Sequence, residues 1–130
     1  MDATDTLLCV INDSASRYLC IEKIIVSAVA AGLIEIGVHD APGTPAGSAV
    51  TPTCLNRTAN TTCAASAWED QTAATTLLNV AEVHVGVGTP TTIEFGGALI
   101  LGEDDCVSVD IITELAISSA TIIGYFRDKA

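Results

Sequence analysis

Hydrophobic and polar residues alternate along three stretches of the chain, and this alternation predicts β-strands. In residues 106–112, Val107 and Val109 fall on one face, whereas Ser108 and Asp110 fall on the other. In residues 81–87, Val87 belongs to the predicted apolar face. A period of two is typical of a strand that buries only one face, so we predict half-buried strands. The stretches are residues 33–39, 81–87 and 106–112.

Two longer segments are almost entirely apolar and need a different interpretation. Residues 115–126 carry no charge and are rich in Ile, Thr, Tyr and Phe. Such a β-branched run predicts a strand buried on both faces, by a second sheet or by a neighbouring subunit. Residues 18–29 fit a helix nearly as well as a strand. We predict a strand, because Ile and Val dominate and the surroundings are all β.

Shorter strands complete the predicted fold. They are expected at residues 7–11, 49–56 and 91–95. Pro52 places the second of these strands at a sheet edge or a bulge, because proline cannot donate to a strand ladder. Residues 57–76 lack a strong period, and residues 1–6 are predicted to form an extended or flexible N-terminal segment.

The number and spacing of the strands define the expected fold class. Strands that recur at roughly 8–12 residues are typical of β-sandwiches and β-barrels. The length of 130 residues favours a single domain, residues 1–130. We therefore predict an all-β jelly-roll β-sandwich of about eight strands, with an immunoglobulin-like sandwich as the second choice.

Composition and charge narrow the range of partners. Hydrophobic residues make up 49% of the chain and charged residues 16%, and the net charge is −11. So much apolar material with so little charge indicates that other chains cover part of the surface. An acidic surface repels polyanions, so nucleic acid is not expected as a partner. The apolar run at residues 24–34 is shorter than the ~20 residues that span a bilayer, so no membrane partner is expected.

The residues that carry chemistry form no recognisable catalytic or metal-binding motif. His84 lies beside Glu82 on a predicted polar face, but no nucleophile motif accompanies the pair. The five cysteines lack the spacing of a zinc site and fit buried, reduced thiols. Three acids at residues 103–105 are oxygen ligands of the kind calcium prefers, although a solvated turn explains them as well. We expect no catalytic residue, no metal and no cofactor, and a protein that is not an enzyme.

One block of the sequence resembles a protein family. Residues 47–52 read GSAVTP, and residues 55–58 read LNRT. This block is similar to a G-(T/S)-A-V-T-P … L-N-R pattern in small structural proteins of tailed bacteriophages. The order of apolar strand, Gly-acidic turn, alternating strand and aromatic-ended strand over residues 99–126 is similar as well. The chain thus resembles the head decoration, or capsid cement, proteins of the small jelly-roll type.

The resemblance implies a structural virion protein that binds the outer surface of a phage head as a homotrimer and stabilises it. Its implied partners are the major capsid protein and further copies of itself. Its implied location is the capsid surface of the virion, after synthesis in the host bacterial cytoplasm. Recognition usually lies on loops held by a rigid scaffold. The candidate residues for capsid or subunit contact are Asn56, Arg57, Trp68, Pro42 and Pro45.

A second class of function remains open from the sequence. Jelly rolls also occur in phage tail or fibre modules that bind a host receptor or a glycan. Exposed aromatic side chains in a groove favour that function, and Trp68 is the large aromatic candidate in this chain. Arg57 is equally compatible with a capsid contact and with a surface ion pair.

Overall fold

The computed structural model describes residues 6–29, 31–39, 48–53, 63–71, 78–111 and 117–129. These residues form β-strands and no α-helix, so the all-β prediction is confirmed. Accordingly, they contain no helix of the length and apolarity needed to cross a membrane. The strands are β1 (Thr6–Asn12), β2 (Arg17–Ala28), β3 (Gly32–His39), β4 (Ser48–Val50), β5 (Ala65–Gln71), β6 (Leu78–Val85), β7 (Thr91–Leu101), β8 (Cys106–Ile111) and β9 (Ile117–Asp128).

The strands form two antiparallel sheets that share one apolar core, as in a β-sandwich. One sheet has six strands in the order β4-β5-β1-β8-β3-β6, and the other has three in the order β7-β2-β9. Side chains from both sheets meet in the core between them. The largest fully buried aliphatic side chains there are Ile21, Ile24, Val26, Ile34, Ile36, Val85, Leu101, Val107 and Val109. We call the opposite side of each sheet its outer face.

The strand pairs are nested along the chain. Strand β4 pairs with β5, β3 with β6, β2 with β7, and β1 with β8. The described chain is therefore a long hairpin whose successive pairs lie further apart in sequence. Three pairings extend this pattern: β1 with β5, β3 with β8, and β9 with the free side of β2.

Strand β8 differs from the half-buried strand that its alternation predicted. Val107 and Val109 face the shared core, as expected. The polar residues between them, Ser108 and Asp110, are buried as well. The reason is position, since β8 lies between β1 and β3 in the interior of the six-stranded sheet. Polar identity therefore did not mean solvent exposure at this strand.

Residues 115–126 were predicted to be buried on both faces, by a second sheet or by a neighbouring subunit. In β9, which starts at Ile117, the second sheet covers one face, and cover of the other face by a neighbouring subunit stays a prediction. Ala120, Ile122 and Phe126 pack against the shared core, whereas Thr121 and Tyr125 are exposed. Strand β9 is an edge strand in the described part of the sheet, and none of the described strands pairs with its outer edge.

Several smaller predictions also need correction. Val87 does not share the buried face of β6, because it lies beyond the end of that strand and is 64% exposed. Strand β5 lies within residues 57–76, where no strand was predicted, because its small Ala and Ser residues give no apolar period. Residues 1–6 were predicted to be extended or flexible; of these the structure describes Thr6, which is buried as the first residue of β1.

Two predicted strands also have different bounds. Strand β4 covers only Ser48–Val50, so Pro52 lies just outside it. Residues 91–101 form one strand, β7. Its pairing with β2 contains a bulge, because Ile21 lies opposite Leu99 whereas Lys23, two residues later, lies opposite Glu94. Gly96 and Gly97 have positive φ angles of 61° and 81° at this bulge, a conformation that glycine adopts without steric cost.

The buried side chain of Asn12 links the two sheets at one end of the molecule. Its amide nitrogen donates to the carbonyl oxygens of Arg17 at 3.0 Å and Leu101 at 2.9 Å. Its amide oxygen accepts a hydrogen bond from the backbone N–H of Ser14 at 2.9 Å. Asn12 ends a strand of the six-stranded sheet, whereas Arg17 and Leu101 belong to the other sheet.

The backbone of Asn12 continues this link into the acidic turn. Its N–H donates to the carbonyl oxygen of Asp105 at 3.0 Å, and its own carbonyl accepts from the N–H of Asp104 at 2.8 Å. The turn from β1 to β2 is thereby bonded to the turn from β7 to β8. Both turns carry the chain from one sheet to the other, so Asn12 holds the two crossings together.

We expect Val109→Lys to prevent stable folding. Val109 is fully buried in the shared core, and an unpaired buried charge costs several kcal/mol, a large share of a typical ~5–15 kcal/mol stability. Val29→Lys is the matched control, because Val29 is exposed at the end of β2. Thermal denaturation followed by circular dichroism should show a native transition for the control alone. Equal melting of both variants would contradict the assigned orientation of β8.

We expect Asn12→Asp to destabilise the protein by about 2–4 kcal/mol, since a carboxylate cannot donate to the two buried carbonyls. Asn79→Asp makes the same substitution at an exposed position of β6 and should have little effect. Urea denaturation of both variants measures the difference. A change below about 0.5 kcal/mol at Asn12 would show that the link contributes little to stability.

Candidate interaction surfaces

The structure describes one of the five residues predicted to make contacts. Trp68 lies on β5, opposite Cys9 of β1 and Ala49 of β4. Asn56, Arg57, Pro42 and Pro45 lie outside the described residues, so their roles stay predictions.

Trp68 packs on the outer face of the six-stranded sheet. It is half-buried and covers a small cluster of Cys9, Ile11 and Cys106. Its indole therefore contributes packing to a cluster separate from the shared core. A ring held in this way offers one partly open side to a partner.

A buried polar network lies beside this cluster on the same outer face. The hydroxyl of Ser108 donates to one carboxylate oxygen of Asp110 at 2.9 Å, and the hydroxyl of Thr6 donates to the other at 2.6 Å. The Nε2 atom of His39 lies 2.9 Å from the Ser108 oxygen. Because Ser108 has already given its only proton to Asp110, we infer that Nε2 of His39 is the donor.

The order of groups in this network differs from that of a catalytic triad. In a triad, histidine accepts the proton of serine and the carboxylate orients the histidine. Here Ser108 stands between His39 and Asp110, and all three are buried. The arrangement supplies a buried carboxyl group with two hydroxyl donors, which is a structural use of these groups.

Three carboxylates lie in a row across the outer face of the six-stranded sheet. Glu35 of β3 is opposite Asp110 of β8 on one side and Glu82 of β6 on the other. Partial burial raises the pKa of Glu35 above its ordinary value, and the negative charges of Asp110 and then Glu82 raise it further. Like charges directly opposite each other destabilise a sheet, so this row costs stability at neutral pH.

Two thiols approach each other within the Trp68 cluster. The sulfur atoms of Cys9 and Cys106 are 3.1 Å apart, and both residues are buried. This hydrogen bond, followed by burial, raises the pKa of the Cys106 thiol far above its ordinary value. Since the thiolate is the reactive form, Cys106 is expected to be unreactive. Cys20 is also buried and carries a free thiol, in line with the predicted role of cysteines as small hydrophobes.

The outer face of the three-stranded sheet exposes two large apolar side chains among polar and charged ones. Ile100 of β7 and Tyr125 of β9 lie on either side of Cys20 of β2, in a row across the three strands. Ile100 is 43% exposed and Tyr125 is 46% exposed, whereas Cys20 is completely buried. The next rows add Ile123 and Ile25, both half-buried. We call this surface the β7-β2-β9 face.

The glycine bulge of β7 makes room for Tyr125 on this face. A side-chain carbon added to Gly97 would collide with the Tyr125 hydroxyl. Tyr125 therefore reaches across β2 from β9 to the bulge of β7, above Cys20. The absence of a side chain at Gly97 thus allows the aromatic ring to lie flat on the sheet.

Cation–π contacts occupy the end of the same sheet. The guanidinium of Arg17 lies 4.5 Å from the ring centre of Phe126. Arg127 and Lys129 lie 5.6 Å and 5.2 Å from the ring centre of Tyr18. These contacts fix the ends of β2 and β9, and they place aromatic rings next to positive charges.

The sequence predictions missed the residues that form these surfaces. Tyr125 had been placed in a run expected to be buried by a second sheet or a neighbouring subunit, whereas Ser108 and Asp110 had been placed on a polar face. One sequence feature could have indicated the β7-β2-β9 face, namely the glycine pair at residues 96–97, which leaves room for a large side chain such as the tyrosine of a neighbouring strand. No local signal marks the polar network, because its members come together only through strand order.

Comparison with protein-family models, curated protein sequences and solved structures finds no match to this chain. Within the described ranges, no group of three or more His, Cys, Asp or Glu residues is arranged to hold a metal ion. The surfaces above are therefore interpreted from their own geometry.

We expect Glu35→Gln to stabilise the protein at neutral pH by a few tenths of a kcal/mol, by removing the repulsion from Asp110 and Glu82. A raised pKa means that the folded state binds the proton more tightly than the unfolded state. The wild type therefore gains stability as pH falls through the raised pKa of Glu35, and the advantage of the variant disappears at about pH 3.

Glu94→Gln is the control for this experiment, because Glu94 lies opposite Lys23 rather than opposite an acid. It should leave stability unchanged or lower it slightly at neutral pH. Urea denaturation at neutral pH and at about pH 3 measures both variants. A Glu35→Gln variant less stable than the wild type at neutral pH would show that the carboxylate row is not repulsive.

Proposed function

We propose that this protein is a capsid decoration protein with a jelly-roll fold, which binds the outer surface of a phage head as a homotrimer and stabilises it. The major capsid protein and further copies of the chain are its partners, and the virion surface is its location. It acts by binding alone and is not an enzyme. The family resemblance of residues 47–58 and 99–126 is the starting point of the proposal.

The nested pairing of the strands is the observation that carries the proposal. In a jelly roll, a long hairpin is rolled so that its successive strand pairs fall in two facing sheets. The pairs β1–β8 and β3–β6 lie in one sheet and β2–β7 in the other, which supports this pattern. The chain departs from it by joining the β4–β5 pair to β1 and by adding β9 beside β2.

The chemistry of the described residues is compatible with a binding role. The carboxylate of Asp110 and the hydroxyl of Ser108 are buried and bonded to each other, so neither is presented to a substrate. The thiol of Cys106 is buried with a raised pKa. A rigid body of this kind supports many weak contacts, and trimeric valency multiplies their strength on a shell that repeats its binding sites.

The environment of Trp68 bears on the alternative function, a tail or fibre module that binds a receptor or glycan. Glycan recognition would use an aromatic ring exposed in a groove. Trp68 is half-buried and packs against Cys9, Ile11 and Cys106, so its main contacts are internal. This favours the capsid role over the tail module.

Sedimentation with capsids tests the proposed function. Purified protein is added to phage heads that lack it, and the heads are pelleted through a density cushion. We expect the protein to pellet with the heads and to raise the temperature at which they release DNA. Arg57→Ala is expected to weaken this binding, whereas Lys129→Ala, a change outside the recognised block, should not.

Two results would contradict the proposal. Protein that stays in the supernatant at all concentrations would exclude a stabilising contact with the shell. Localisation by cryo-electron microscopy to the tail of purified virions would favour the receptor-binding module instead.

A further inference from the structure

We infer that the β7-β2-β9 face is the surface through which copies of this chain associate. The inference deepens the trimeric self-association within the proposed function, since it names the residues that form the subunit contact. The occupant is a second copy of the chain, and the anchors are Ile100 and Tyr125.

The distribution of charge is the first argument for a second copy. The strands of the six-stranded sheet contain five acids and no lysine or arginine. The strands β7, β2 and β9 contain three bases and three acids, so their charge balances to zero. The acids of the first set are Glu35, Glu69, Asp70, Glu82 and Asp110; the second set contains Arg17, Lys23, Arg127, Glu22, Glu94 and Asp128.

This difference decides which surface two copies can share. The whole chain carries a net charge of −11, so two copies repel each other through most orientations. Contact through the six-stranded sheet would bring two acidic surfaces together. Contact through the β7-β2-β9 face brings neutral surfaces together, and Lys23 beside Glu94 supplies charges of both signs to a symmetric neighbour.

The exposed apolar residues are the second argument. Tyr125 and Ile100 are large side chains, each nearly half exposed, in one row with the buried Cys20 between them. Aromatic and aliphatic anchors near the centre of a patch contribute most of the binding free energy of protein interfaces. The bulge at Gly97 holds Tyr125 flat on the sheet, which suits packing against another flat surface.

The size of the face is sufficient for a specific interface. Three strands spaced by ~4.8 Å, with ~12 residues at ~3.4 Å each, cover about 500–600 Å² per copy. Two such faces bury about 1,000–1,200 Å² together, which reaches the lower bound of specific protein–protein interfaces. In a trimer, each copy turns this face toward the common axis and shares it with its neighbours.

Light scattering coupled to size-exclusion chromatography tests the inference on the full chain. The wild type should elute as an oligomer, and a trimer has three times the chain mass of 13.3 kDa. The double variant Ile100→Lys, Tyr125→Lys should elute as a folded monomer with the wild-type circular dichroism spectrum. Val50→Lys is the matched control, since Val50 is exposed and lies on β4 of the six-stranded sheet, and it should remain oligomeric.

A second variant guards against misfolding of the first. Thr92 and Thr121 are exposed and lie opposite Ile25 on the same face. Thr92→Lys combined with Thr121→Lys leaves Ile100 and Tyr125 intact and should also give a monomer. Any of three results overturns the inference: a monomeric wild type, oligomeric face variants, or a monomeric Val50→Lys control.

The capsid experiment separates this inference from the proposed function. A wild type that is monomeric in solution but pellets with heads would refute the self-association surface and leave the decoration role standing. A wild type whose association depends on Ile100 and Tyr125 but which does not pellet with heads would refute the decoration role and leave the surface standing.

Discussion

The hydrogen bonds of Asn12 are the interaction on which the two-sheet arrangement depends. In a nested hairpin, both legs must cross between the sheets at the same place, and here the crossings are the β1–β2 and β7–β8 turns. A single buried amide donates to a carbonyl in each of two strands, Arg17 in β2 and Leu101 in β7. Its backbone bonds the acidic turn at Asp104 and Asp105. The sheets therefore meet in one register, and the shared core follows from that register.

The six-stranded sheet uses its outer face differently from its inner one. The inner face supplies aliphatic side chains to the core, whereas the outer face buries hydroxyls, thiols and a carboxylate around β8. The hydroxyls of Ser108 and Thr6 donate to the two carboxylate oxygens of Asp110, which satisfies this buried group. The same carboxylate raises the pKa of Glu35 on the neighbouring strand. The outer face of this sheet thus contains both a buried carboxyl group with its hydrogen bonds made, Asp110, and a row of carboxylates that repel one another, in which Glu35 lies between Asp110 and Glu82.

The two sheets divide the external properties of the molecule between them. The strands of the six-stranded sheet carry five acids and no lysine or arginine, whereas the strands of the three-stranded sheet have no net charge and expose Ile100 and Tyr125 on their outer face. Because of this difference in charge, we expect copies of the chain to associate through the three-stranded sheet. The proposed trimer buries the outer face of the neutral sheet and leaves the acidic sheet for other contacts. Protein stability and assembly then rest on different faces, so substitutions at Ile100 or Tyr125 are expected to affect assembly before folding.

The sequence alone was sufficient for the all-β class, for most strands and for the core positions at Ile34, Ile36, Val107 and Val109, because a period of two has a direct physical meaning in a strand. It was not sufficient for β5, whose small residues have no period. It was also not sufficient for the environment of the polar positions. Asp110 and Ser108 are buried because β8 lies between two strands, and Tyr125 is exposed because β9 lies at an edge. Strand order is a property of the tertiary structure, and only that order decided which polar groups meet and which apolar face stays open.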